Sequence, residues 1–121
     1  MGKERIGRRL QNDEPCIPQD GIYQPVADNE VNGLLDQLHT DWQIKGGHLC
    51  REVRCEDYQQ ALWRTQRLAE LAEKAQHHPR LVLDWCRVEI SIRTHAINGL
   101  SRSDFIYAHR ADQLLTDGSP G

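Results

Sequence analysis

The apolar residues of this chain change their spacing four times, and each change demands a different local structure. Val31, Leu34, Leu35 and Leu38 fall at i, i+3, i+4 and i+7, the stripe of a short amphipathic helix ending near Thr40, with Asp28 or Asn29 available as its cap. Trp42 and Ile44 then alternate with polar residues, Gly46-Gly47 supplies a turn, and Leu49 and Val53 continue a period of two up to Cys55. This pattern predicts a β-hairpin. From Glu56 to Gln76 the period returns to 3.6, with Tyr58, Ala61, Leu62, Thr65, Leu68, Ala69, Ala72 and Ala75 on one face of a long helix that stops before Pro79. Between Leu81 and Thr94, Val88, Ile90 and Ile92 alternate with Glu89, Ser91 and Arg93, a second strand pair with its reversal near Cys86-Arg87. Ser101 and Asp104 then have the spacing of a capping box, opening a last helix through Phe105, Ala108, Ala111 and Leu115.

The predicted order is therefore helix, two strands, helix, two strands, helix. Strands that come in local pairs, each joined by a tight turn, favour an antiparallel arrangement. The expected fold is α+β, a two-layer sandwich of one four-stranded antiparallel sheet with three helices on one face. At 121 residues there is room for one such core and not two. Residues 1–28 carry Pro15, Pro18 and Pro25 among charged and amide side chains without apolar periodicity, and read as a flexible N-terminal tail ordered only where it docks. Residues 29–116 form the domain, and 117–121 a C-terminal tail.

Charge narrows the function classes. With 15 basic and 18 acidic residues the net charge is −3, lacking the basic excess of sequence-independent nucleic-acid binding. No run approaches the apolar length of a membrane span, and Met1 to Leu10 lacks the apolar stretch of a secretory signal, so a cytoplasmic protein is expected. In that compartment Cys16, Cys50, Cys55 and Cys86, which show no C-x-x-C spacing, read as free thiols.

The residues able to carry chemistry cluster at element ends. His77-His78 sits where the long helix stops, and Glu73 precedes His77 by four residues, so that the two can meet on one helix face. If the fourth strand keeps its alternation, His95 shares a face with Glu89, Ser91 and Arg93, away from the apolar row. Asp104 doubles as the capping-box acid. Adjacent histidines without an H-x-x-H or H-E-x-x-H pattern are not a zinc motif, and there is no phosphate loop or dinucleotide fingerprint. Trp42 and Trp85 alternate with core positions, and either could instead wall a site for a flat ring.

Taken together, Glu73, His77-His78-Pro79, Trp85, Thr94-His95, Gly99-Leu100-Ser101 and Asp104 resemble the signature of the pterin-4a-carbinolamine dehydratases, over roughly Val31 to Leu115. The resemblance implies a cofactor-free dehydration of 4a-hydroxytetrahydrobiopterin to quinonoid dihydropterin. It makes His77, His78 and His95 the catalytic and pterin-binding imidazoles, with Glu73 and Asp104 as supporting acids and Pro79 and Trp85 in the binding site. It also implies a homodimer or a dimer of dimers, which Leu114-Leu115 and free sheet edges would serve. Two features depart from the pattern: Leu81, Val82 and Leu83 stand where many members have an aromatic residue and an amide, and the segment before the first helix is long. They motivate the alternative of a dehydratase-like RuBisCO assembly factor associated with carboxysomes, whose partners are RuBisCO subunits.

Overall fold

In chain order the molecule contains α1 (Asp28–Leu35), β1 (Gln43–Lys45), β2 (His48–Arg54), α2 (Tyr58–Ala75), β3 (Arg80–Asp84), β4 (Arg87–Ile92) and α3 (Arg102–Thr116), with a 3-10 turn at His95–Ile97 between the last two. The structure is a computed structural model describing residues 7–116, so the C-terminal tail expected at 117–121 lies outside the described residues. All strand pairs are antiparallel, in the order β1-β2-β4-β3. This is the expected α+β arrangement of three helices and a four-stranded open sheet.

Register explains which side chains face the helices. Leu49 lies opposite Ile92 and Val53 opposite Val88, and these four with Ile90 are buried against Leu68 and Ala72 of α2 and Phe105, Ala108 and Ala111 of α3. Arg51 has the same parity, so a cation points to the apolar side opposite Ile90. Its cost is offset by Asp112 of α3, whose Oδ1 lies 2.5 Å from Arg51 Nη1. Asp112 also accepts the indole N–H of Trp42 and the backbone N–H of His39, each at 2.8 Å. Trp42 is thereby a buried core residue rather than a wall of a ligand site.

The opposite face of the sheet is polar. Glu52 lies directly across from Glu89, a like-charge pair relieved by Arg87, which donates to Glu52 at 2.6 Å and to Asp84 at 2.6 Å. A concavity of about 560 Å³ opens on this side, lined by residues that include Lys45, Cys50, Glu52, Arg80 and Ser91. None of the three candidate histidines lines it.

Several local expectations are corrected. The cap of α1 is Ala27, and the Glu30 carboxylate accepts its backbone N–H at 3.0 Å. Asp28 and Asn29 fall inside the first turn, where the charge of Asp28 suits the positive end of the helix. On α2 the buried stripe narrows to Ala61, Leu68, Ala72 and Ala75, while Tyr58 and Ala69 are exposed. Leu115 is buried in the core, and Leu114 is partly buried against it.

Much of the segment before α1 docks. Leu10 and Cys16 are buried, and burial pushes the Cys16 thiol up to about 11. Arg102, the first residue of α3, grips Glu14 through two nitrogens at 2.5 and 2.9 Å. Arg110 adds a bond to the Glu14 carbonyl and the Ser103 hydroxyl one to the Cys16 carbonyl. Gln37 accepts the Leu10 N–H at 2.7 Å, and Val26 donates to the Leu100 carbonyl at 2.9 Å. Residues 7–27 therefore form a strap across the start of α3.

Candidate active site

The end of α2 is built by a left-handed residue. Gln76, at φ 53 and ψ 42, reverses the chain, so its N–H meets the Glu73 carbonyl at 3.3 Å and the His77 N–H reaches back to the Ala72 carbonyl at 3.2 Å. These are the two bonds of a Schellman motif, in which the residue after the left-handed one folds beneath the helix end. His77 occupies that place and is 8% exposed. His78 follows on the outside, and Pro79 prevents the helix from resuming.

Beneath the helix end His77 meets Asp104, with Nε2 and Oδ1 2.7 Å apart. Asp104 has no solvent exposure, yet its lone pairs are well occupied. Oδ2 accepts the Ser101 backbone N–H and the Thr94 hydroxyl, both at 2.9 Å. The Thr94 and Ser101 hydroxyls are 2.7 Å apart, and Ser101 Oγ accepts the Ser103 N–H at 3.3 Å. With the Thr94 proton directed at Asp104, Ser101 must donate to Thr94, so every hydroxyl proton in the chain has one acceptor. The capping box and the contact to His77 coexist on one carboxyl group.

The other imidazoles are exposed. His78 Nε2 lies 2.6 Å from Glu73 Oε2. The sequence pattern paired Glu73 with His77; the reversal at Gln76 hands it to His78 instead. His95 is not on a strand, because β4 ends at Ile92 and Thr94 closes a tight loop onto Gly99, donating at 2.8 Å and accepting at 3.3 Å. It opens the 3-10 turn, exposed for that reason and not through strand alternation. Thr94, one residue earlier, touches Asp104, which ties the His95 turn to His77.

Tyr23 was not anticipated. The docked strap lays its ring against His77, centroids 6.2 Å apart and planes 26° from parallel, a stacked arrangement within the range of favourable aromatic contacts. A lone aromatic in a polar, proline-containing stretch was the available signal. Trp85 moves the other way: it lies in the β3–β4 turn, 77% exposed, with the whole of β3 between it and Pro79. It is neither core nor neighbour of the histidines, because the reversal falls on Trp85-Cys86 and turns the indole outward. Arg87 belongs to the outer-face ion pairs and Arg93 donates to Asn98.

These features define a class of protein: a small two-layer α+β sandwich with an imidazole–carboxylate cluster where α2 and the end of β4 approach the start of α3. The chain belongs to the pterin 4 alpha carbinolamine dehydratase family, whose model matches residues 24–114. A relative from Alkaliphilus metalliredigens, named provisionally a pterin-4-alpha-carbinolamine dehydratase, is 38% identical across 87% of this chain and 96% of its own. A relative from Chlorobium limicola under the same provisional name is 40% identical across 82% and 90%. Among solved structures, the transcriptional coactivator/pterin dehydratase of Brucella melitensis superposes with a TM-score of 0.70 at 26% identity, covering 75% of this chain and 98% of that one. A pterin dehydratase-like protein described as a RuBisCO assembly factor in the alpha-carboxysome gives 0.55 at 23% identity over 63% and 90%, a likeness of fold alone.

Proposed function

We propose that the protein dehydrates a pterin-4a-carbinolamine, 4a-hydroxytetrahydrobiopterin being the type substrate, to quinonoid dihydropterin and water. The carrying observation is the set of bonds that holds His77 on Asp104 while His78 rests on Glu73 and His95 stands one residue beyond Thr94. The reaction needs one proton delivered to the departing 4a-hydroxyl and one removed from the adjacent ring nitrogen as the carbon–nitrogen double bond forms. Imidazoles exchange protons in either direction near neutral pH, which suits both halves.

Asp104, acting as a carboxylate, demands a proton on His77 Nε2, which leaves Nδ1 as the position where His77 gives or takes a proton. Glu73 orients His78 in the same manner. His78 and His95 are the exposed imidazoles, able to reach a ligand directly, and Asp104 and Glu73 act through the histidines as positioning residues.

The test is dehydration of freshly generated 4a-hydroxytetrahydropterin, followed by ultraviolet absorbance, for the wild type beside His77→Ala, His78→Ala and His95→Ala. Groups of this kind typically contribute about 10²- to 10⁴-fold each, so every variant should fall by such a factor. A wild type no faster than buffer overturns the reading. We further expect self-association, since β1 and β3 are open sheet edges; light scattering should give two or four times the 14.0 kDa chain mass.

A further inference from the structure

The four cysteines differ in placement. Cys16 is a buried residue of the strap itself, and Cys50 faces the polar side of the sheet with its sulfur 3.6 Å from Ser91 Oγ. Cys55 and Cys86 lie together at the other end. The β2–β4 register pairs Val53 with Val88 and Arg54 with Arg87, and one further step sets Cys55 opposite Cys86. The backbone continues that step, since the Cys55 N–H donates to the Cys86 carbonyl at 2.8 Å.

Cys55 follows β2 directly and Cys86 is the turn residue before β4; a ladder pair joined by such a bond has Cα atoms about 5.5 Å apart, inside the roughly 4.4 to 6.8 Å span that a disulfide bridges. Both cysteines are half-buried, so small reagents can reach them. Arg64 of α2 points a guanidinium nitrogen at Cys55 Sγ from 3.6 Å, placing a cation beside the sulfur that exchange chemistry requires as an anion.

We infer that Cys55 and Cys86 are a cross-strand dithiol that a small-molecule disulfide, of the glutathione type, converts to an intramolecular disulfide. One protein thiolate attacks a sulfur of the small disulfide, releasing one small thiol and leaving a mixed disulfide. The second protein thiolate attacks the protein-side sulfur and expels the other small thiol. Two protein thiols are oxidised and one small disulfide is reduced, with the two protons passing to the released thiols. The bridge would join the end of β2 to the start of β4, the opposite end of β4 from His95.

The experiment treats the native full-length chain with oxidised glutathione, blocks remaining thiols with N-ethylmaleimide, and maps an unreduced digest by mass spectrometry. The expected result is one internal bridge per chain joining the Cys55 and Cys86 peptides, with Cys16 and Cys50 alkylated after unfolding. Cys55→Ser and Cys86→Ser should each stop at a glutathione adduct on the surviving partner. Four free thiols under excess oxidant, adducts without an internal bridge, or a bridge using any other pair would overturn the inference. None of these readouts depends on dehydratase activity.

Discussion

Asp104 joins a helix cap, a hydroxyl and an imidazole on one buried carboxyl group. It has no exposure, caps α3 through the Ser101 N–H, accepts from Thr94 and holds His77. Asp104→Ala would strand three donors in the interior at once. Removing one partner of a buried charged network typically costs about 3 to 5 kcal/mol, and urea denaturation should show a loss of that size together with loss of activity. Tyr23 offers a smaller effect. Aromatic stacking contributes about 0.5 to 1.5 kcal/mol, so Tyr23→Ala should raise KM by up to roughly tenfold and leave Tyr23→Phe near the wild type. An equal loss in both variants would assign the effect to the hydroxyl rather than the ring. Of the candidate site, the three histidines and two carboxylates were legible as residue types; their pairing was not, since four-residue spacing applies only inside a helix, and His77 lies beyond its end.

Elements carry that lesson further. The α2 terminus depends on a glutamine in left-handed backbone, a conformation that costs an L residue roughly 1 to 2 kcal/mol and glycine almost nothing. Gln76→Gly should therefore raise thermal stability by about 1 kcal/mol, less the exposed bond its side chain makes to the Glu73 carbonyl. A fall in Tm would show that this bond outweighs the backbone term. Strand alternation named the buried rows of β2 and β4 correctly but was extended one turn too far at His95, because a bridge from Thr94 to Gly99 ends the strand. Alternation likewise reads Trp85 as strand when it is turn.

Across the whole molecule, the strap joins segments distant in sequence. Its ionic clamp is Glu14, whose carboxyl is held below its ordinary value of 4.5, first by the hydrogen bond from Arg102. The sign follows: a depressed folded-state value stabilises fully above pH 4.5, and the contribution disappears as pH falls through the lower value of the docked state. Hydrogen exchange should accordingly show protection of the amides near Leu10 and Cys16 falling as the pH drops below 4.5, before the sheet amides lose theirs. Glu14→Gln should weaken protection at pH 6 and remove this pH dependence; strap protection unchanged in that variant would refute the clamp.

Apolar periodicity, punctuated by turn and cap residues, determined the number, type and order of the α-helices and strands, because a helix or strand must place its apolar side chains on one face whatever it packs against. The motif residues marked candidate chemistry at element ends for the same local reason. Only the folded structure decided that Arg51 could point inward, that Glu73 serves His78 and Asp104 serves His77, and that Tyr23 reaches His77. Two of those partners lie far away in the chain, Asp112 61 residues from Arg51 and Asp104 27 from His77, while Glu73 passes to His78 through the reversal at Gln76. Periodicity reports which side of an element is dry; which charge or ring waits there is known only once the layers have closed.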